Sequence, residues 1–473
     1  METKSQRNGH TYWQWTFTLF ATISILVQGI DNGWISPIAK HLQSEASPTG
    51  YPISDESLNW IVSSMSLAAI FGVPVYAYIA DAFGRRVGVI LLALPQAISW
   101  IIRLSYSSTT TLIIARVVSG LASGGCFNIV PMYIKEISQD NIRGTLGTLP
   151  TVLQTLGVFI VYIIGAYLDY FTMNCIILIL PIVTILLMLK APESPAYLVK
   201  QGKMDEALNA VALLRGLNKN EKHVQNIVEK MKEEEDYFRT LPNISLINIL
   251  RRRSWRRAFV LSMFTFTFFE LNGALVIVTY ASTILNSTGV EFNIRPELQA
   301  ISFPIVMTIG YLVVATCVDR VGRKPLLILA YLVTSCTMFC LAIIMILQMN
   351  GGGSIPAWLP VLIMMLCVFM FSGGVMPLSY IILTEMFSFQ IRAKLMGLVV
   401  TYAWFLTFLL YNIHALLTNS LGKYSAFLFY GLINLAGAIF AFVFLPETKG
   451  KTVEEIMKII AKNKQIKTDD NET

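Results

Sequence analysis

The chain has 473 residues, 55% of them hydrophobic and only 14% charged, with a mean hydropathy of +0.60. So little polar surface cannot cover a water-soluble globule of this size, which excludes a soluble protein and places the chain in a bilayer. The formal net charge of +7 would suit a nucleic-acid partner, but the cations lie in short turns between apolar segments, where they meet lipid headgroups instead.

A window of about 20 residues predicts twelve apolar helical spans. The first, about 15–35, is too long for a cleavable signal peptide and lacks a small-residue cleavage site. It carries Asp31, a carboxylate that is costly in hydrocarbon and therefore marks a substrate or proton path. Spans at about 58–79 and 87–104 enclose the turn Asp81-Ala82-Phe83-Gly84-Arg85-Arg86. Its glycine permits a tight reversal, and its arginines stay out of the bilayer, free to pair with carboxylates or to cap helix ends. The fourth span, about 111–134, carries Arg116 and offers Gly120, Gly124 and Gly125 for close helix contact. Glu136 follows it, with Arg143 seven positions on. Spans at about 145–168 and 174–189 lead to Pro192-Glu193-Ser194-Pro195. Pro150 is expected to break its helix beside a cavity, as is Pro377 later in the chain.

Between Leu189 and Ala258 the hydropathy collapses into a linker with helical patterns at about 203–215 and 221–239. In the first, Met204, Leu208, Val211 and Leu214 recur at helical spacing and form one apolar stripe. Glu233-Glu234-Glu235-Asp236 is expected to be a solvated face. Six more spans follow at about 258–284, 300–317, 325–348, 358–383, 395–417 and 424–445, and the polar tail after Ile460 is expected to be disordered.

The second half repeats the charged motifs of the first. Asp319-Arg320-Val321-Gly322-Arg323-Lys324, Glu385 with Arg392, and Pro446-Glu447-Thr448-Lys449-Gly450 each lie roughly 240 to 255 residues after their counterparts. This is the parallel repeat of a transporter built from two six-helix halves. The expected fold is an all-α membrane protein of twelve transmembrane helices in two halves, 1–189 and 258–446, joined by a cytoplasmic helical linker, 190–257, with a tail at 447–473. The basic turns and the run Arg251-Arg252-Arg253 with Arg256-Arg257 fall on one side of the twelve spans, which makes that side, and both termini, cytoplasmic. Arg103 is expected in an outer loop. The paired motifs predict a gate of ion pairs, with Arg86, Arg143, Arg323 and Arg392 opposite Glu136, Glu193, Glu385 and Glu447, and with Asp81, Arg85, Asp319 and Arg320 in the same turns. All six cysteines fall in spans and are expected to pack as small apolar residues, and of the sequons only Asn286 is expected outside, where it accepts a glycan.

These motifs resemble those of the sugar porters of the major facilitator superfamily. DAFGRR at 81–86, RVVSG at 116–120, PMYIKE…IRG at 131–144, PESPAYL at 192–198, DRVGRKP at 319–325 and PETKGKT at 446–452 carry the resemblance, which spans about residues 12–460. GTLGTLPT at 144–151, GWISP at 33–37 and YLDY at 167–170 are similar to insect facilitated trehalose transporters. The resemblance implies alternating access around a central site, facilitative transport of a small neutral sugar (trehalose or a hexose) across the cell membrane, and no cofactor or metal. In the first half it assigns the site Asp31, Arg116, Thr151 and Gln154; in the second, Glu270, Asn272, Tyr280, Ser372, Trp404 and Asn412. The seventh span departs from the family's Gln-Gln-Leu-Ser-Gly-Ile-Asn, reading Phe269-Glu270-Leu271-Asn272-Gly273-Ala274-Leu275, so two amides become apolar and one a carboxylate. Asp31 aligns with the proton carrier of proton-coupled members and Arg116 with its partner, which leaves proton symport as an alternative and the proton as a second partner. A non-transporting sugar sensor is another. No Gly-x-x-x-x-Gly-Lys-Ser/Thr loop implies ATP, and no catalytic constellation points to an enzyme.

Overall fold

The computed structural model describes residues 9–105, 108–240, 245–287, 295–350, 355–356, 358–387 and 389–462. Among them every regular element is helical: α1 Tyr12–Gly33, α2 Ile35–Leu42, α3 Asp55–Phe83, α4 Arg85–Ser105, α5 Thr109–Ile137, α6 Asp140–Tyr167 and α7 Tyr170–Met188. The linker holds α8 Pro195–Lys200, α9 Met204–Arg215, α10 Lys222–Thr240 and α11 Leu246–Arg251. Then come α12 Arg253–Glu270, α13 Ala274–Thr279, α14 Ala281–Ser287, α15 Pro296–Ala300, α16 Ser302–Val321, α17 Arg323–Met349 and α18 Trp358–Met370. A π-helical turn, Phe371–Val375, joins α18 to α19 Met376–Met386, and α20 Phe389–Leu421, α21 Lys423–Phe444 and α22 Val453–Lys462 complete the chain. Eleven helical stretches among the described residues are long and apolar enough to cross a membrane. The expected first span, α1, is not among them, because Gln14, Gln28, Asp31 and Asn32 interrupt its apolar character.

The residues form two compact units. The first comprises residues 1–33, 45–53 and 64–242. Within it α1 runs along α6, and α4 packs against α5 and α7. The close contact expected of the glycines on α5 is present: a Cβ at Gly120 or Gly124 would sit 2.3 Å from the carbonyl oxygen of Met65 or Ala69 on α3. Helix starts follow capping chemistry, with a Ser108–Thr111 capping box on α5 and Asp169 accepting from the Thr172 N–H on α7. In the linker, Val211 and Leu214 of the apolar stripe are buried; Met204 and Leu208 pack beside Val211 against α8 and α10, while Leu214 packs into the core formed with α1, α4 and α5. Gln14 of α1 ties this layer down, donating to the Leu214 carbonyl at 3.1 Å while its Oε1 accepts from the Gln139 N–H at 2.8 Å.

The second unit comprises residues 34–44, 54–63 and 243–473. Here α17 runs along α21, and α12 packs against α20 and α21. The break expected at Pro377 takes the form of the π turn just before it, whereas α6 continues unbroken through Pro150. Two hydrogen-bonded contacts hold the early segments of this unit to its later ones: Ser36 with Ser282 at 3.3 Å, and Asn59 donating to Asn412 at 3.0 Å. The cysteines divide. Cys126 and Cys367 are buried as expected, but Cys175, Cys336 and Cys340 are exposed, on helix faces that a bilayer would cover.

Candidate functional site

Each unit contains one charged clamp, and the two are built alike. In the first, the Arg85 guanidinium holds Glu136 at 2.9–3.1 Å and donates to the Ala80 carbonyl at 2.9 Å. Glu193 does not pair with a guanidinium. One of its oxygens accepts the backbone N–H groups of Arg85, Arg86 and Ser194 at 2.8, 3.0 and 2.8 Å, at the start of α4, where the helix presents its unpaired amides. In the second, Arg323 holds Glu385 at 3.0–3.2 Å and donates to the Val318 carbonyl, while Glu447 accepts the N–H groups of Arg323 and Lys324 at 3.1 Å each. Gly84 (φ +100°) and Gly322 (φ +107°) open these helices. A Cβ there would lie 2.4 Å from Glu193 Oε2 and 2.9 Å from Glu447 Oε2, so the carboxylates fill the space that glycine leaves. Burial opposes the charge on Glu447, but the N–H groups of Lys449, Arg323, Lys324 and Thr448 outweigh it and hold the carboxyl below its usual range.

The pairing therefore differs from the expected one. Arg85, not Arg86, is the partner of Glu136, because the guanidinium that follows the turn by one residue lies beside the end of α5, while Arg86 donates to the Leu189 carbonyl at 3.1 Å. Arg143 and Arg392 turn back on their own segments, to the carbonyls of Ser138 and Phe387, and Arg143 also pairs with Asp140 at 2.6 Å. Asp81 is exposed and pairs with Lys200 and Arg85. Asp319 pairs with Arg323 at 3.2 Å, and exposed Arg320 takes part through its carbonyl, which accepts from Lys449. Ser194, whose hydroxyl caps α8 by accepting from the Tyr197 N–H, donates to the same Glu136 carboxylate.

Asp31 sits deep in the first unit, 1% exposed. Arg116 donates to its backbone carbonyl at 2.7 Å and lies 3.7 Å from its carboxylate. The shorter bond, 2.6 Å, comes from Arg103. Arg103 is thus a correction: the residue expected in an outer loop is fully buried, its guanidinium stacked on Trp100 at 3.9 Å. Its helix face shows why, since Arg103 continues the buried stripe of Val89, Leu92, Gln96 and Ser99 on α4. That periodicity was the available signal. Thr151 and Gln154 are half-buried on α6, and the Gln154 carbonyl approaches α1 where a Cβ on Gly29 would be 2.0 Å away.

In the second unit several of the expected contact residues already have partners within the unit. Asn272 and Ser372 are engaged internally. Asn272 Oδ1 accepts from the Ala274 N–H at 2.8 Å, its amide donates to Asn434 at 3.3 Å, and Asn434 donates back to the Asn272 carbonyl at 2.9 Å. This pair satisfies the backbone where the seventh span breaks at Gly273 (φ +89°), against Tyr430. Ser372 donates to the Val368 carbonyl inside the π turn, pressed against Gly310. Glu270, at the end of α12, accepts from Thr407 at 2.9 Å. Tyr280 lies against His414, ring centroids 5.6 Å apart, and Asn412 donates to the Phe408 carbonyl. Trp404 is half-buried on the same helix, α20. Sequence reading did not single out Thr407, since nothing in a threonine one turn after Trp404 marks it until the fold sets it beside Glu270.

A family profile described as "Sugar (and other) transporter" matches residues 17–459. The facilitated trehalose transporter of Anopheles gambiae is 28% identical over 93% of this chain, which spans 56% of that protein. That of Polypedilum vanderplanki is 27% identical over 94% of this chain and 88% of its own length. The inward-open xylose transporter from E. coli superimposes with a TM-score of 0.77 at 22% identity, covering 94% of this chain and 99% of that one. A second structure, the proton:xylose symporter bound to 6-bromo-6-deoxy-D-glucose, gives 0.70 at 23% identity, covering 95% and 100%. These likenesses establish the all-α transporter fold of a multi-pass membrane protein, and the chain belongs to the sugar transporter family.

Proposed function

We propose that this family member carries a small neutral sugar, trehalose or a hexose, across the cell membrane by alternating access, as a facilitative carrier rather than an enzyme. The observation that carries the reading is the clamp built twice, with the same carboxylate-on-amide and arginine-on-carboxylate bonds in each unit. Such clamps fix helix ends in one arrangement and release them in another, which is what a carrier needs. We assign the halves to residues 1–189 and 258–446, the linker to 190–257 and the tail to 447–473, with both termini cytoplasmic. Exposed Asn286, at the end of α14, then lies outside and takes a glycan. To the sugar path we assign Asp31, Arg116, Thr151 and Gln154 in the first unit, and Glu270, Tyr280, Trp404 and Asn412 in the second.

Facilitative transport is favoured over symport through Asp31, because a proton on that carboxylate would remove the negative charge from two buried ion pairs at once. Uptake of radiolabelled trehalose and glucose into proteoliposomes, with and without an imposed pH gradient, tests this. Equilibration without accumulation is expected. Accumulation with alkalinisation of the medium would make the protein a symporter, and binding without flux would make it a sensor.

A further inference from the structure

Glu270 is a carboxylate 6% exposed, and the ion pairs among the described residues all lie elsewhere. The groups around it are neutral. From α19 comes the phenol of Tyr380, and from α20 come Thr407 and, one turn back, Tyr402, whose hydroxyl meets Thr267 at 2.9 Å. From α21 the Asn434 amide reaches the Asn272 carbonyl, two residues on from Glu270, and α22 meets the far end of α12, where Arg257 donates to the Ile460 carbonyl. An ionised carboxylate held there would lack any compensating charge, a costly state in an apolar interior.

The one bond that Glu270 makes points the same way. The Thr407 hydroxyl is 2.9 Å from Glu270 Oε2 and 2.9 Å from the Ala403 carbonyl, and it has a single proton. A carbonyl only accepts. Both contacts are therefore full hydrogen bonds at once only when Thr407 donates to Ala403 and Glu270 donates to Thr407. We propose that Glu270 works as a neutral carboxylic acid, its one proton donated to Thr407 and its other oxygen left to accept from a sugar hydroxyl, so that sugar movement fades as rising pH strips that proton and leaves an uncompensated charge beside the sugar. An apolar site that keeps a carboxylic acid neutral, with its proton in a hydrogen bond, has precedent in enzyme oxyanion holes. The proton stays on Glu270 through the cycle and none crosses with the sugar. The inference rests on the sugar-carrier reading above.

The experiment combines transport and spectroscopy on the full-length protein in liposomes. Sugar exchange by the parent should fall about tenfold for each pH unit beyond its midpoint. Glu270→Leu should lose uptake at every pH, and Glu270→Gln should restore it without the pH dependence. Thr407→Val removes the acceptor of the acid proton, so its midpoint should move toward acid pH. A move toward alkaline pH would mean that Thr407 donates to an ionised carboxylate, and would overturn the proposal. Infrared difference spectra should show a protonated-carboxyl C=O band in the parent that is missing in Glu270→Gln; no such band overturns it. So does preferential uptake of glucosamine over glucose, since an ionised carboxylate would select an ammonium group. A parent that shows the band but moves no sugar at any pH would refute the sugar-carrier reading and leave the neutral acid standing.

Discussion

Replacing Asp31 by asparagine should destabilise the protein more than removing either of its cationic partners. Arg103, Arg116 and Asp31 have side chains 0%, 2% and 1% exposed, with the two guanidinium groups 2.6 and 3.7 Å from one carboxylate oxygen. Taking one partner from a buried pair costs about 3–5 kcal/mol, mostly because the other charge is left uncompensated. Asp31→Asn removes the carboxylate that both guanidinium groups share and belongs at the upper end, about 5 kcal/mol, whereas Arg103→Met leaves Asp31 with Arg116 and belongs at the lower end, about 3 kcal/mol. The double variant Asp31→Asn/Arg103→Met should recover part of the loss, because it removes a cation along with the carboxylate that it pairs with. Melting of the detergent-solubilised protein, followed at a fixed scan rate by the fraction that stays monodisperse, ranks the three. If Asp31→Asn melts at or above Arg103→Met, or the double variant is no better than Asp31→Asn alone, the two-cation account of this cluster is wrong.

Three further outcomes are expected. Gly84→Ala should lose more stability than Gly322→Ala, since both enforce a left-handed φ at a cost of about 1–2 kcal/mol, but the added Cβ meets its carboxylate at 2.4 Å in one case and 2.9 Å in the other; thermal melts of the two variants compare them. Asn272→Ala should lower the melting temperature through about 1–3 kcal/mol of lost backbone satisfaction while leaving the KM for sugar little changed, and a large KM effect at parental stability would return Asn272 to the sugar path. Because the folded state holds Glu447 below the usual carboxylate range, its contribution is complete above the unfolded pKa and is lost as pH falls through the lower folded value. Glu447→Gln should therefore narrow its stability gap to the parent on acidification, measured as melting temperature across the acid range.

The helices were legible because span length and hydropathy respond to the bilayer alone, and the linker because Met204, Leu208 and Val211 pack into one cluster. The repeated motifs placed the clamps correctly but not their wiring. Spacing says that Arg85, Arg86, Glu136 and Glu193 share one end of a unit; which guanidinium reaches which carboxylate depends on helix rotation and on the unpaired amides at the start of α4, neither of which a motif contains. Arg103 was misread for the opposite reason. A cation near the end of an apolar span is ordinarily read as an anchor in the headgroups, and only its place on the buried stripe of α4 distinguishes it. Asn272 looked like a ligand because its alignment with a sugar-binding motif was visible, while its partner Asn434, 162 positions away, was not.

The two buried carboxylates, Asp31 and Glu270, carry opposite instructions, and the difference lies in their neighbours. Asp31 has two guanidinium groups within 4 Å, so its charge is part of the structure, and a change there is felt first as instability. Glu270 has one hydroxyl whose proton is already wanted by a backbone carbonyl, so its charge is not needed to hold α12 against α20. A group that the fold does not require in charged form is free to serve the substrate. Exchanging the two roles should then fail asymmetrically: Asp31→Asn loses folded protein, whereas Glu270→Gln folds normally and changes only how transport follows pH. Equal loss of folded protein in both variants would place Glu270, like Asp31, among the structural charges.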